Sequence, residues 1–226
     1  MTRRQHERFL DREDAGRQLA QLLAGRKLHD PLVLAIPRGG VVIGAVLAKE
    51  LGAELDVVLS RKLRAPQQPE LGIGAVAEDG RVHLSTQVRC TPGASDLYLG
   101  EETLLQLAEI ARCKERYRAA RPAARIAGRS VIVTDDGIAT GATMIAALRT
   151  TRDQRPLELI VAVPVADAAA MAGIRPWCDE VVCLTTRGAL RAVGMQYVVF
   201  EPVNDTQIVE LLCEQRLGRR PGQAAG

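Results

Sequence analysis

The chain has 226 residues, of which 47% are hydrophobic and 25% are charged. These values are typical of one globular domain that is long enough to bury a proper core. The formal net charge of +3 gives no electrostatic case for nucleic-acid binding, and no apolar run is long enough to span a membrane.

The amino-terminal part of the chain alternates between helical and strand patterns. Residues 11–24 carry apolar side chains on one face and predict an amphipathic helix. Residues 32–36 form a short apolar run that is typical of a buried parallel strand. A helix over residues 41–51 and a strand over residues 55–60 follow, so we expect a right-handed βαβ unit.

Residues 61–95 interrupt this alternation. Prolines, glycines and polar residues predict a loop over 61–72, followed by short strands over 73–77 and 81–85. Asp79-Gly80 between these strands is a hairpin turn signal. Residues 72–77 match a dinucleotide-binding pattern, but no buried strand is predicted before them, so we reject that function.

The remaining elements continue the alternation. Helices are predicted over residues 96–120, 142–152, 167–173 and 205–216, and strands over 130–134, 157–163, 180–184 and 197–200. The first of these helices has an apolar stripe formed by Leu104, Leu107, Ala108 and Ala111. Residues 218–226 are rich in Gly, Arg, Pro and Ala, and they predict a disordered tail after a single domain over 1–217.

These elements predict an α/β fold with a mostly parallel, twisted sheet and helices on both faces. Ligands bind such sheets at the carboxyl ends of the strands, where the strand order reverses. Three predicted loops lie at strand carboxyl ends, namely 37–40, 61–72 and 136–143. We therefore place the functional site at these loops.

Residues 131–143 carry the strongest functional signal. A four-residue strand pattern leads into Asp135 and Asp136, and a turn of small residues then enters a helix. Free backbone N–H groups at such a turn bind phosphate. Adjacent carboxylates at a strand end suit the hydroxyls of a sugar, directly or through a metal. An ordinary turn beside a solvated acidic pair is the alternative interpretation.

Two further segments are candidates for binding anions. Arg38-Gly39-Gly40 follows the first strand, where two glycines allow close backbone approach and the arginine offers a forked donor. Arg61-Lys62 follows the next strand. Taken alone, each could also be a simple solvated turn. Their positions beside the phosphate turn favour a ligand with two separated anionic groups.

Residues 131–143 resemble the phosphoribosyl-pyrophosphate (PRPP) binding motif of the type I phosphoribosyltransferases. Segments between Phe9 and Leu212 also resemble a bacterial group known only as phosphoribosyltransferases of unassigned acceptor. This resemblance implies that residues 63–95 form a flexible loop or hairpin, and that residues 185–217 with the amino-terminal helix form a hood. It also implies a cis peptide bond, with Arg38–Gly39 as the candidate.

The resemblance assigns a role to each candidate residue. The 5′-phosphate is expected to bind Ala139, Thr140, Gly141, Ala142 and Thr143. Pyrophosphate is expected to contact Arg38, Gly39, Gly40, Arg61 and Lys62. Asp135 and Asp136 are expected to hold the ribose hydroxyls and Mg²⁺, directly or through water. The catalytic set is therefore Asp135, Asp136, Arg38 and Lys62.

Three residues depart from the patterns of better-known relatives. Ala139 replaces an aspartate of the hypoxanthine-guanine enzymes, which argues against a 6-oxopurine mechanism of that type. Leu190 lies where an aromatic residue would flank a base, and Gly137 replaces an aliphatic residue. Tyr197 and Phe200 are either core residues or packing partners of a base.

We therefore expect a Mg²⁺-dependent phosphoribosyltransferase that acts on PRPP and an unidentified nitrogen acceptor. A PRPP- or nucleotide-sensing regulator and a sugar-phosphate or nucleotide hydrolase remain alternatives. Five cysteines without a CxxC pair are expected to be reduced thiols of a cytoplasmic protein. We further expect a homodimer that binds small molecules and neither nucleic acid nor a membrane.

Overall fold

The protein was analysed in a computed structural model that describes residues 8–190 and 192–218. The elements of the first half are α1 (Arg12–Leu23), β1 (Leu32–Ala35), α2 (Gly39–Glu50), β2 (Glu54–Val57), β3 (Ser60–Ala65), β4 (Gln68–Ala77), β5 (Val82–Leu84) and α3 (Asp96–Ala120). Those of the second half are β6 (Ser130–Thr134), α4 (Ala142–Asp153), β7 (Glu158–Asp167), α5 (Ala168–Ile174), β8 (Glu180–Arg187) and α6 (Asp205–Gly218).

Five strands form one parallel sheet in the order β2-β1-β6-β7-β8. Strands β1 and β6 at its centre are fully buried, as expected for apolar strands covered on both faces. Helices α1, α2, α3 and α6 pack on one face, and α4 and α5 pack on the other. The predicted α/β fold is therefore confirmed. The strand order reverses between β1 and β6, so their carboxyl ends are where a ligand is expected to bind.

The segment predicted as a loop over 61–72 forms part of a second, antiparallel sheet in the order β3-β4-β5. Gly72 was assigned to the predicted loop and Gly74 to a short strand, but both lie inside β4, where neighbouring parts of the chain leave no room for a side chain. A Cβ on Gly74 would lie 2.7 Å from the carbonyl oxygen of His83 on β5. The predicted hairpin is confirmed, with Gly80 at φ +82° in its turn.

Helix α3 has the predicted length, but its predicted apolar stripe is mostly wrong, because Leu107 packs against the core while Ala108 and Ala111 are exposed. Leu104 is 69% exposed, whereas Glu102 and Gln106 are buried. The reason is that α3 packs against arginines on β3. The Nε of Arg64 lies 2.8 Å from a carboxylate oxygen of Glu102, and the Nε of Arg61 lies 2.9 Å from the amide oxygen of Gln106. Glu102 and Gln106 are buried polar groups that need hydrogen-bond partners, and these half-exposed arginines supply them, so the polar face of α3 turns inward.

A polar cluster holds the amino-terminal edge of the sheet, far from the predicted site. Glu54 at the start of β2 forms ion pairs with Arg121 and with Arg129, whose Nη1 lies 2.6 Å from its Oε2. Burial acts to raise the pKa of Glu54, but hydrogen bonds from these two arginines outweigh it and leave the pKa lowered. The ionised carboxylate therefore stabilises the fold at neutral pH.

The two terminal parts of the described chain meet beside α1. The backbone N–H of Phe9 donates to the carbonyl of Gln196 at 2.9 Å, and the Phe9 and Tyr197 rings lie 5.5 Å apart. The strand predicted over 197–200 is wrong, because one isolated bridge between Phe9 and Tyr197 replaces a ladder. A short 3₁₀ helix, Val193–Gln196, precedes this bridge.

Some predictions fall at the limits of the described chain. Helix α6 extends to Gly218, so the first residue of the predicted tail is helical, and residues 219–226 lie outside the described residues. Within residues 8–190 and 192–218, every helix is too short or too polar to cross a bilayer.

Candidate functional site

The predicted phosphate turn lies between β6 and α4, at the carboxyl edge of the sheet. Gly141 begins the helix with φ +80°, a left-handed conformation that glycine adopts without strain. Among the described residues, no side chain caps the amino terminus of α4. The first N–H groups of this helix are therefore available to an anion, and the helix dipole favours one there.

The turn forms one wall of a cleft of about 150 Å³. One water molecule needs roughly 10–15 Å³ of cavity volume, so this cleft is large enough for a ligand group of several atoms. The residues that line it are Lys62, Gly72, Asp135, Gly137, Ile138, Ala139, Thr140, Gly141, Thr143, Met144 and Val193. Side chains from β3, from the loop after β6 and from the carboxyl-terminal segment thus meet here.

The two adjacent carboxylates point to different surroundings. Asp135 lines the cleft, where burial strongly raises its pKa and the nearby charge of Asp136 adds to the rise. Asp136 instead forms an ion pair with Arg12, whose Nε lies 2.9 Å from its Oδ2. Burial raises the pKa of Asp136 as well, and Arg12 opposes that rise. The structure therefore brings Asp135, but not the carboxylate of Asp136, to the cleft wall.

Gly39 and Gly40 lie against this acidic pair. A Cβ on Gly39 would lie 1.8 Å from Oδ2 of Asp136, and one on Gly40 would lie 2.9 Å from the Cα of Asp135. The sequence interpretation assigned both glycines to close approach by a ligand. The structure shows that they allow close approach by the loop after β6.

The cis peptide bond is Pro37–Arg38, one residue before the predicted candidate Arg38–Gly39. The Arg38 side chain is exposed and borders a separate small cavity of about 10 Å³. That volume accommodates at most about one water, so it is not a ligand cavity of its own.

Arg61 and Lys62 lie on strand β3 rather than in a loop. Successive side chains of a strand point to opposite faces. Arg61 accordingly donates to Gln106 of α3, whereas Lys62 reaches the cleft. Of the two basic residues predicted beside the phosphate turn, the structure brings only Lys62 to it.

The carboxyl-terminal segment covers the loop after β6. A Cβ on Gly137 would lie 2.6 Å from Cγ1 of Val193, so this valine occupies the space that an aliphatic side chain would otherwise fill. Leu190 is buried, and its backbone N–H donates to Asp167 at 2.9 Å. The Tyr197 ring is buried and lies against the Phe9 and Phe200 rings, so Tyr197 is a core residue, whereas Phe200 is exposed.

Sequence reasoning missed Arg12 and Val193. Arg12 begins a helix that reads as an ordinary amphipathic surface element, and it is 124 positions from Asp136. No local pattern reports an ion pair across that separation. Gly137 was the signal that could have led to Val193. Where relatives have an aliphatic side chain and this chain has a glycine, another residue is expected to fill the space.

Comparison with known proteins agrees with this geometry. The family model described as "Phosphoribosyl transferase domain" matches residues 6–205. The curated Mycobacterium tuberculosis H37Rv protein "Putative phosphoribosyl transferase Rv0571c" is 41% identical over 204 residues, covering 90% of this chain and 46% of the relative. This chain thus spans about half the length of the curated relatives that it matches. The crystal structure of TT1426 from Thermus thermophilus is 42% identical, covers 92% of this chain and 99% of that chain, and superposes with a TM-score of 0.75.

Proposed function

Because this chain belongs to the phosphoribosyl transferase domain family, we propose that it transfers the 5-phosphoribosyl group of PRPP to a nitrogen acceptor and releases pyrophosphate. One observation carries the proposal beyond the family. The cleft at the strand reversal combines a phosphate turn, a carboxylate and a lysine, from Thr140, Asp135 and Lys62. These groups match the phosphate, the ribose hydroxyls and the pyrophosphate of PRPP.

In this proposal each group has one binding role. The N–H groups of residues 139–143 receive the 5′-phosphate, and the hydroxyls of Thr140 and Thr143 add donors. Asp135 accepts hydrogen bonds from the ribose hydroxyls. Lys62 and Arg38 contact the pyrophosphate, whereas Arg61 remains bonded to α3.

The carboxylate in the cleft suits a Mg²⁺ ion that is held mainly by the phosphates of the substrate. Within residues 8–190 and 192–218, no group of three or more His, Cys, Asp or Glu side chains is arranged to hold a metal. Mg²⁺ commonly uses one or two carboxylates together with substrate phosphates and water. Asp135 is suitably placed for this role, whereas the carboxylate of Asp136 is paired with Arg12. When bound, the ion would neutralise pyrophosphate charge.

The chemistry requires positioning rather than a protein nucleophile. The bond between C1 and the pyrophosphate oxygen breaks, a bond from C1 to the acceptor nitrogen forms, and positive charge develops on the ribose ring between these events. The cleft residues fix the phosphate and hydroxyls so that the acceptor and the leaving group lie on opposite sides of C1. Lys62 stabilises the negative charge of the leaving group.

Lys62 and its neighbour Arg61 provide a matched test of PRPP binding. PRPP with Mg²⁺ at about 100 times its Kd should stabilise the wild type by about 2.7 kcal/mol, or roughly 5–10 °C in Tm. Lys62→Ala should weaken PRPP binding by about tenfold or more, which is about 1.4 kcal/mol. Arg61→Ala is the matched control and should bind PRPP as the wild type does. Absence of any PRPP effect on the wild type would refute the proposal.

Catalysis needs a second measurement. Incubation with PRPP, Mg²⁺ and a panel of bases and amines should release pyrophosphate only when the correct acceptor is present. Binding without release selects a PRPP sensor, and release without any acceptor selects a hydrolase. The cytoplasmic location and the homodimer stay predictions that cell fractionation and size-exclusion chromatography can test.

A further inference from the structure

Arg12 is the residue outside the cleft that contacts its acidic pair most directly. Its Nε lies 2.9 Å from Oδ2 of Asp136, and its Nη1 lies 2.8 Å from the carbonyl oxygen of Glu201. Its guanidinium carbon also lies 3.8 Å from the centre of the Phe200 ring. The side chain is only 11% exposed. Arg12 thus joins α1, the loop after β6 and the carboxyl-terminal segment.

Asp136 is enclosed on its other sides as well. The Tyr197 hydroxyl donates to its backbone carbonyl oxygen at 2.5 Å. Gly39 at the start of α2 lies so close that a Cβ would overlap the carboxylate. The Asp136 side chain is 15% exposed. Its orientation is therefore set by contacts with three separate parts of the chain.

Fixing Asp136 also fixes Asp135. The two residues are consecutive, the backbone N–H of Asp136 donates to Oδ1 of Asp135 at 2.8 Å, and Asp135 alone of the two lines the cleft. When Arg12 holds Asp136 toward α1 and α2, Asp135 is left facing the cleft. If Asp136 were released, the chain could rotate and the Asp135 carboxylate would lose its defined position.

We propose that Arg12 is a positioning residue, which acts through Asp136 to aim Asp135 at the ribose hydroxyls. This inference rests on the proposed function, because it presumes a ribose in the cleft. Among the described residues, Arg12 is not one of those that line the cleft. Its effect should therefore appear in the recognition of sugar hydroxyls and not in the recognition of phosphate.

The test measures discrimination between two sugar phosphates that differ by one hydroxyl. Titration calorimetry compares ribose 5-phosphate with 2-deoxyribose 5-phosphate for the wild type and for Arg12→Met. The wild type should bind ribose 5-phosphate more tightly than 2-deoxyribose 5-phosphate. In the variant the ratio of these two affinities should fall by about tenfold, which equals about 1.4 kcal/mol. Inorganic phosphate should bind both proteins equally.

Two further variants separate positioning from general destabilisation. Arg17→Met removes an exposed arginine of the same helix, which is paired with Glu13, and should leave the preference unchanged. Tyr197→Phe removes the hydrogen bond to the backbone carbonyl of Asp136 and should lower the preference in the same direction as Arg12→Met. If Arg12→Met does not fold, Arg12→Gln, which also removes the charge that pairs with Asp136, decides the question in its place.

The outcomes distinguish this inference from the proposed function. A wild type that binds neither PRPP nor ribose 5-phosphate refutes the proposed function. A wild type that prefers ribose 5-phosphate, together with a folded Arg12 variant that keeps the full preference, refutes only the role of Arg12. Equal loss of affinity for both sugars and for phosphate would also refute it, because that pattern reports structural damage.

Discussion

Gly137→Ala should destabilise the protein by a purely steric effect. The added Cβ would lie 2.6 Å from Cγ1 of Val193 and 2.9 Å from Cγ1 of Val165. Gly137 is not among the glycines with positive φ, so its backbone conformation is open to alanine. Loss of a favourable left-handed conformation therefore does not contribute, and crowding alone sets the cost.

The magnitude depends on which neighbour can move. Val165 on β7 is fully buried within the sheet and cannot yield easily, whereas Val193 lies at the partly exposed start of a 3₁₀ helix. Overpacking a well-filled site costs about 1–3 kcal/mol. We expect about 2 kcal/mol here, which corresponds to a decrease of roughly 4–8 °C in Tm for a protein of this size.

Urea unfolding of four variants measures this effect. Gly137→Ala should lower the midpoint without changing the m-value. Combining it with Val193→Ala should cost less than the sum of the two single variants, because the second change removes the nearer contact. Gly100→Ala is the matched control, since no atom lies within 4 Å of its added Cβ on α3. That control should stabilise the helix by about 0.5–1 kcal/mol.

Two results would contradict the reasoning. If Gly137→Ala unfolds within about 0.5 kcal/mol of the wild type, the segment around Val193 does not press on the loop. If the double variant is strictly additive, Val193 is not the residue that excludes the side chain.

Three further predictions follow from other parts of the fold. Glu54→Gln should cost about 3 kcal/mol at neutral pH, because it leaves two buried arginines without their anionic partner. Since the folded pKa of Glu54 is lowered, the stability of the wild type should fall as the pH drops through that pKa. Urea titrations at several pH values should show that the variant lacks this part of the acid response. Leu104 is exposed and Ile110 is buried on α3. Leu104→Ala should therefore change the unfolding free energy by under about 0.5 kcal/mol, whereas Ile110→Ala should cost about 2–5 kcal/mol. Equal effects in chemical denaturation would mean that α3 is rotated about its axis. Gly72→Ala would place a Cβ 2.8 Å from Cδ of Lys62 and should reduce PRPP affinity by about tenfold in calorimetry, while unchanged affinity would place Lys62 outside the pyrophosphate site.

The central sheet could be predicted from sequence because its signals are local. The run from Ser130 to Thr134 is apolar enough to be buried on both faces, and its predicted bounds match β6. The phosphate turn was equally visible, since Gly141 and the following helix pattern are contiguous. The bounds of α3 were also correct, because Ser95 supplies a helix cap.

The errors arose where a distant partner decides the structure. Helix periodicity assigned Leu104 to the core, but Arg64 on β3 selected Glu102 instead. Gly72 was assigned to a loop, although it lies in β4, where an added Cβ would lie 2.8 Å from Cδ of Lys62 on β3. The same limitation hid Arg12, because its partner lies on a different layer of the fold. Local propensity reports what a segment can form, and only packing reports which face it buries.

The contacts of Arg12 with Phe200 and Glu201 also have a consequence for synthesis on the ribosome. The last strand of the central sheet ends at Arg187, so the whole sheet has been translated before Phe200 and Glu201 are added. At about 5–20 residues per second, these additions follow the last strand by roughly one to three seconds. A nascent chain can therefore complete its sheet while Asp136 still lacks part of its support. Support of Asp136 by the carboxyl-terminal segment is therefore expected to follow formation of the sheet.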